Sequence, residues 1–224
     1  LSAKDMISAI VPIKLESQRV VNKNFKTING KPLFFWVIET LLSSEYISEV
    51  IINCDEDIVE QTVSRLFDSV KFVYRPAQLK GNEISMNKII ESTLGSCSND
   101  SVLQTHTTNP LLTTKTIDNA IKKHFDDEID LFSVTKLQER VYNENSEPIN
   151  HDPDNLIQTQ DLKPIYLENS GFYIFSQKNF NKNINRITPY SKFYETSFPE
   201  NIDIDDEDDF NLAETILRYT QWIL

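Results

Sequence analysis

An apolar run, Ile7 to Ile13 broken only by Ser8 and Pro12, passes directly into a polar stretch carrying Lys14, Ser17, Arg19, Lys23 and Asn24. Asn29-Gly30-Lys31-Pro32-Leu33 then opens a second long apolar stretch. The order is that of a strand, a cationic loop and a helix. In an open α/β sheet, the crevice beyond the carboxyl end of the first strand is where ligands bind. A loop with three cations at that place, in a chain of net charge −12, suits an anion. The same cations also suit a solvated loop that balances an acidic surface, and charge pattern alone does not separate the two.

Downstream, short apolar runs alternate with amphipathic stretches. Pro32 is suited to the first turn of a helix, where its missing N–H costs nothing, and Leu33, Val37, Ile38 and Leu41 follow at helical spacing. Val50 to Asn53 reads as a buried strand, and Asp55-Glu56-Asp57 then suits the positive end of a helix through Ile58, Val63 and Leu66. A strand at Val70 to Tyr74, a helix at Ile84 to Leu94, a strand at Val102 to His106 and a helix at Thr114 to Phe125 complete the rhythm. It predicts an α/β doubly wound, mainly parallel sheet with helices on both faces.

The rhythm breaks after a strand at Leu131 to Val134. Residues 136–166 are polar, carry Pro148, Pro153 and Pro164, and show no sustained period. So long a stretch without an element is unusual in a compact domain and is often functional, although a surface loop gives the same composition. An aromatic strand returns at Gly171 to Phe175.

In Ile202-Asp203-Ile204-Asp205, strand alternation would put both Ile side chains on one sheet face and both carboxylates on the other, about 7 Å apart. Asp206, Glu207, Asp208 and Asp209 follow, and so many carboxylates repel one another unless a cation sits among them. Mg²⁺ takes one or two protein carboxylates and fills its other positions with water and phosphate oxygens, which suits Asp203 and Asp205. The later four fit the N-terminus of a last helix through Phe210, Ala213, Ile216 and Leu217, where acids complement the macrodipole.

Other chemistries find little support. With four glycines in the chain there is neither G-x-G-x-x-G nor G-x-x-x-x-G-K-[ST], so a nucleotide must be held by side chains. His106, His124 and His151 lack metal-ligand spacing; His106 reads as a structural histidine at the mouth of the crevice and His124 as a solvent-facing residue at a helix end. Cys54 and Cys97 are isolated, which argues for buried thiols and against a zinc site or disulfide framework. The acidic balance argues against nucleic acid or an anionic membrane as partner. No window approaches the ~18 apolar residues of a membrane span and no leader is seen, so a cytoplasmic protein is expected. At 224 residues and 39% apolar content, a single domain over residues 6–224 is expected.

The run Lys14 to Asn24 followed by N-G-K-P-L resembles the signature of the CMP-sugar synthetases, the cytidylyltransferases that activate acylneuraminate, other nonulosonic acids and Kdo. In that family the first strand ends in (A/P)-R-x-x-S-x-R-x-P-x-K-N. This chain keeps Ser17, Arg19, Lys23 and Asn24, but has Lys14 for Arg, Leu15-Glu16 for small residues and Val21 for Pro. Arg75-Pro76-Ala77 with Leu79 resembles the R-P-x-x-L run that reads the cytosine, and Gln104 matches the Gln of L-Q-P-T-S-P-L that faces the sugar. The I-D-I-D run coincides with the family's magnesium aspartates. The family's R-P-N-G, whose Arg reads the sugar carboxylate, is here Leu167-Glu168-Asn169-Ser170, and the Arg that often follows P-L is Leu112.

The resemblance implies a Rossmann-like nucleotide-diphospho-sugar transferase fold and Mg²⁺-dependent transfer of CMP from CTP to an acidic sugar, with release of pyrophosphate. Lys14, Arg19 and Lys23 would hold the triphosphate and stabilise the leaving pyrophosphate. Ser17, Asn24 and Arg75 would contact the nucleotide, Gln104 and Asn169 the sugar, and Asp203 and Asp205 the metal. The 136–166 excursion would build a homodimer. The missing carboxylate Arg leaves Lys136, Arg140 and Lys163 as substitutes, or an acceptor other than a standard sialic acid. A nucleotidyltransferase for another sugar or nucleotide, and an inactive nucleotide-binding protein of the same fold, are the alternatives.

Overall fold

The structure is a computed structural model that describes residues 5–17, 20–81 and 83–220. Its first strand, β1 (Ile7–Ile13), is buried along its whole length because it is apolar on both faces. Ile7, Ala9, Val11 and Ile13 enter one core, and Ile10 enters a second on the opposite face. A two-strand hairpin follows, β2 (Thr27–Ile28) and β3 (Lys31–Pro32), turned by Asn29 and Gly30, both at positive φ as a tight I′-like turn requires. N-G-K-P-L is therefore a hairpin and a helix start. Pro32 ends β3 and is the N-cap of α1 (Leu33–Leu42), one position ahead of the first turn expected for it.

The chain continues through β4 (Ile47–Cys54), α2 (Asp57–Val63), β5 (Lys71–Tyr74), α3 (Met86–Leu94), β6 (Ser101–Thr105), α4 (Thr114–Asp127) and β7 (Leu131–Leu137). After the excursion come β8 (Ile165–Ser176), α5 (Gln177–Asn183), β9 (Lys192–Glu195) and α6 (Glu207–Thr220). The main sheet has seven strands in the order β5-β4-β1-β6-β8-β7-β9. It is mainly parallel, and β8 is the exception, antiparallel to both β6 and β7. From β1 the chain steps outward to β4 and β5 and then returns to β6 on the other side of β1. That reversal is a topological switch point, and it opens a crevice at the carboxyl ends of β1 and β6.

The larger core packs Phe34, Val37, Ile38 and Leu41 of α1, Val59 and Val63 of α2, and Ile117, Ala120 and Ile121 of α4 on one sheet face. Ile90 and Leu94 of α3 and Phe180 of α5 cover the other. A third cluster seats Phe210, Ala213 and Leu217 of α6 on Ile28, Leu33 and Ile204. Burial of each large side chain contributes roughly 1.5–3 kcal/mol, so the double layer rather than helix propensity fixes these helices. Among the described residues no helix is long and apolar enough to cross a membrane.

Several expectations change. Ile202 to Asp205 is extended but belongs to no strand; Ile204 is bonded instead to Thr108 O through its N–H, at 2.8 Å. Ile202 and Ile204 still share one face, the α6 core. His124 is buried, its ring held between Ser101 Oγ (2.8 Å) and Ile129 O (2.5 Å), because the last turn of α4 packs on the sheet. Cys54 is buried, whereas Cys97 is only partly so; burial pushes the two thiols up to about 11 and about 12. The irregular stretch narrows to 138–164, because β7 and β8 reach into it from both sides.

Away from the crevice, Glu49 on β4 is buried and accepts from Ser8 Oγ (2.5 Å), the Ser98 amide (2.6 Å), Ser98 Oγ (3.1 Å) and Lys71 Nζ. Burial opposes its charge, but the bonds from Lys71, Ser8 and Ser98 outweigh it and hold the carboxyl at about 2. A folded value depressed from 4.5 gives stability that is fully present above about pH 4.5 and is lost as pH falls toward 2. The amount is on the order of 3 kcal/mol. Urea unfolding at stepped pH should show a flatter acid limb in Glu49→Gln than in the wild type. Identical limbs would refute the role of this carboxylate.

Candidate active site

A cleft of about 330 Å³ lies at the switch point. Lys14 and Ser17 reach it from the end of β1, Lys23 and Asn24 from the next turn, Arg75 from the end of β5, and His106 to Thr108 from the end of β6. All but Lys23 and Asn24 follow the end of a strand, so the sheet fixes most of their spacing. Lys23 is presented by a short turn that begins at Asn22, which is left-handed with φ 50°. Asn24 is buried and spans the cleft floor: its Nδ2 donates to Lys14 O (2.7 Å) and its Oδ1 accepts from Thr107 Oγ1 (2.5 Å). It thereby clamps the β1 loop to the β6 loop.

Arg75 is buried, with Nε donating to Asn53 Oδ1 (2.5 Å) and Nη2 to Asn53 O (3.3 Å). Asn53 is held in turn by Thr93 Oγ1, which accepts from its Nδ2 at 2.8 Å. Burial lowers the guanidinium's pKa and Asp55 opposes that effect; an arginine stays charged throughout. Leu15 and Glu16 take different environments. Leu15 packs against the main core and its N–H donates to Asp55 Oδ1 (2.9 Å), while Glu16 is exposed. A second hollow of about 310 Å³ beside Glu16, Asp55 and Lys80 shares Lys14 and Gly81 with the cleft.

Asp203 and Asp205 are partly buried and flank Ile204. Lys23 Nζ donates to Ile204 O at 2.6 Å, and the Ile204 amide donates to Thr108 O, so this acidic segment is tied to two cleft residues. Asp206 and Asp209 are spent on capping: Asp206 Oδ1 accepts from the amides of Asp208 and Asp209, and Asp209 Oδ2 from those of Asp205 and Asp206. Glu207 pairs with Lys26. Among the described residues no group of three or more His, Cys, Asp or Glu forms a metal cage. Two carboxylates on a segment tied to a cationic cleft are nevertheless a donor set whose chemistry fits Mg²⁺.

The sugar-facing candidates differ in setting. Gln104 is fully buried; its Nε2 donates to Thr105 O (2.9 Å) and its Oε1 accepts from Arg186 Nη1 (2.6 Å). Asn169 has all its hydrogen-bonding positions engaged by protein. Its Nδ2 donates to Thr135 Oγ1 (3.0 Å) and Thr196 Oγ1 (2.7 Å), and its Oδ1 accepts from Ser133 Oγ (2.6 Å) and the Gly171 amide (3.3 Å). A Cβ at Gly171 would meet Ser133 Oγ at 2.9 Å and Asn169 Oδ1 at 3.4 Å. Gly171→Ala should thus break this network and destabilise by about 1–3 kcal/mol in denaturant unfolding. A change below 0.5 kcal/mol would show that the network relaxes freely. Arg19 lies outside the described residues.

His106 is neutral. Burial, followed by the charges of Arg186 and Lys23, drives its pKa down to about 3. Its Nε2 faces two donors, Gln104 Nε2 (3.2 Å) and Arg186 Nη1 (3.3 Å), which assigns the ring proton to Nδ1. A base of that strength does little proton abstraction at neutral pH. Sequence reasoning missed Thr107 and Thr108, which line the cleft, and Arg186, in the loop after α5, which bonds to His106 of the cleft wall. Arg186 stands alone in an Asn-rich loop, and no local pattern marks it.

A sheet that reverses at β1 and carries a cationic, side-chain-built cleft at that point defines an α/β nucleotide-binding protein. The cytidylyltransferase family matches residues 8–221, and the chain belongs to that family. It is 24% identical over 223 residues to a pseudaminic acid cytidylyltransferase of Campylobacter jejuni, covering 93% of this chain and 95% of that one. It is 25% identical to an N-acylneuraminate cytidylyltransferase of Oncorhynchus mykiss, covering 96% of this chain but about half (51%) of the relative. A CMP:2-keto-3-deoxy-manno-octonic acid synthetase complexed with CTP shares the fold at TM-score 0.69 and 14% identity, covering 96% of this chain and 99% of that one.

Proposed function

We propose that the protein transfers CMP from CTP to an acidic sugar of the nonulosonic or sialic acid type, in a Mg²⁺-dependent reaction that releases pyrophosphate. The observation that carries this reading is the convergence of Lys14, Ser17, Lys23, Asn24 and Arg75 on one cleft. The carboxylate pair Asp203 and Asp205 is tethered to the same cleft through Ile204. The names of the relatives above point to the same chemistry.

In the reaction, a sugar hydroxyl bonds to the α-phosphorus of CTP while the bridging P–O bond to the β-phosphate breaks. The protein's task is to position the two ends and neutralise the charge that moves onto pyrophosphate. Lys14, Lys23 and Arg19 supply that charge. Arg75, rigidly held by Asn53, presents a fixed donor edge to the base, and Asn24 keeps the two walls at constant separation. Asp203 and Asp205 are the residues that would hold Mg²⁺, which when bound screens the phosphates and eases loss of the hydroxyl proton.

A homodimer built through residues 138–164 belongs to the same proposal. That segment is internally bonded, with Gln138 donating to Leu162 O (2.7 Å) and Arg140 to Ile157 O (2.7 Å), yet it leaves Tyr142, Ile149, Leu156 and Ile157 exposed. Light scattering at micromolar concentration is expected to show a dimer; a monomer would refute the interface role. The reaction itself is tested by pyrophosphate release from CTP with N-acetylneuraminate, legionaminate, pseudaminate and Kdo, with EDTA as control. Metal-dependent release with any of them is the expected result. Release with another nucleoside triphosphate in preference to CTP would overturn the base assignment.

A further inference from the structure

Arg186 occupies a position that nothing in the sequence marks, and its surroundings are those of an anion receptor. Its guanidinium is stacked on the Tyr173 ring, with Cζ 3.6 Å from the ring centroid, and its backbone is anchored by the amide donating to Asn87 Oδ1 at 3.2 Å. Asn87 follows Met86, which lines the cleft. Among the described residues, both hydrogen bonds of the Arg186 side chain leave from Nη1, to Gln104 Oε1 and His106 Nε2. Those two bonds use both protons of Nη1. The edge formed by Nη2 and Nε remains, and that edge matches a carboxylate in bidentate geometry.

The acidic group within ion-pairing range of that edge is a poor match. Glu168 Oε1 stands 3.9 Å from Nη2, beyond hydrogen-bond distance, on a side chain 43% exposed, and it already accepts from the Tyr173 hydroxyl. The Arg186 side chain itself is 16% exposed, so it is largely desolvated but not sealed. A guanidinium in that state gains more from a well-placed carboxylate than a surface cation would. The neighbours are also those that a receptor needs. Gln104 and neutral His106 orient the guanidinium without cancelling its charge, and His106 itself forms part of the cleft wall.

We propose that Arg186 binds the carboxylate of the acidic sugar, and that this chain supplies the carboxylate receptor from the loop after α5 rather than from the strand residues Leu167 to Ser170. The two places meet in space, because Glu168 of that strand is the residue facing Arg186. Lys136, Arg140 and Lys163, the alternatives in sequence, are exposed, and Arg140 is engaged with Ile157 O. In a 2-ulosonic acid the carboxylate is borne by the carbon next to the one carrying the attacking hydroxyl. Gripping it there sets the hydroxyl's distance and direction to the α-phosphate as well as affinity. This assignment rests on the acidic-sugar reading above.

The test compares each acid of the panel with its methyl ester, in wild type, Arg186→Met and Arg186→Lys, with CTP affinity followed by calorimetry. The wild type should prefer the acid over its ester by about 100-fold or more in kcat/KM, as expected when a buried donor pair loses its partner. Both variants should reduce that preference below about 5-fold with CTP affinity unchanged, and Lys should retain more than Met, since it keeps charge but not the fork. A fold defect in Arg186→Met leaves Arg186→Lys to give the same comparison, and a general packing defect would lower acid and ester turnover alike. Full acid preference in the variants, or none in the wild type, would overturn the assignment. If the wild type turned over none of the acids, the acidic-sugar reading would fall, and this assignment with it.

Discussion

Replacing Lys23 by methionine is expected to lower kcat/KM for pyrophosphate release by about 10²- to 10³-fold, the usual consequence of removing one preorganised donor from developing negative charge. Methionine preserves the length and apolar stem of the side chain, so the change isolates the ammonium. Lys23 lies at the junction of the site: it lines the cleft and also donates to Ile204 O between the two aspartates. The variant removes a cation from the cleft and loosens the acidic segment, and if the cleft holds the triphosphate as proposed it loses a phosphate contact too. Calorimetry should show a smaller loss in CTP affinity than in kcat/KM, because the leaving group carries more charge in the transition state than in bound CTP. Less than a 5-fold change in kcat/KM, with an unchanged melting temperature, would remove Lys23 from the chemistry.

Asp203→Ala is expected to abolish turnover, with a residual rate about 10³-fold or more below wild type, while leaving the fold intact. Asp205→Asn should raise the Mg²⁺ concentration needed for half-maximal rate by roughly 10- to 100-fold, the loss typical when a ligand set is weakened. Asp206→Asn is the internal comparison. Its carboxylate caps the amides of Asp208 and Asp209, bonds that an Asn oxygen can also accept, so the variant loses only the charge at the helix N-terminus and should cost about 0.3–1 kcal/mol of stability and change the rate less than 3-fold. Normal turnover in Asp203→Ala, or equal rate effects at positions 203 and 206, would separate the acidic segment from metal binding.

The strands and helices of the first two-thirds of the chain are legible in sequence because each is buried on a recognisable period. β1 and most of β4 are apolar on both faces, β6 is short and buried on both, and α1, α3 and α4 repeat apolar residues on one. What was not legible depends on long-range pairing. Lys192 to Glu195 carries no strand signature strong enough to stand alone, and becomes β9 only because β7 offers it an edge. The Ile-Asp alternation is real as a facing pattern but does not make a strand, since the core it meets is α6 and not a sheet. Lys14 and Lys23 could be placed at the crevice because their spacing is local to one strand end and the turn after it. Arg186 could not, because it reaches Gln104 across 82 residues of chain from a loop with no periodic pattern of its own.

The antiparallel strand β8 has a consequence for how such a chain can change. Residues 138–164 leave from Leu137 and return at Ile165, and these two residues are paired partners at the end of the β7–β8 ladder. The segment is thus closed at its base before it begins. A doubling of its length would cost only about 0.6 kcal/mol in loop closure and would shift no register in the sheet. Insertions, deletions or wholesale exchange there leave the cleft residues where β1, β5 and β6 put them. The chain is in this sense two inheritances joined at one rung: a chemical centre bound by the geometry of its strand ends, and a surface free to drift toward new associations without disturbing it.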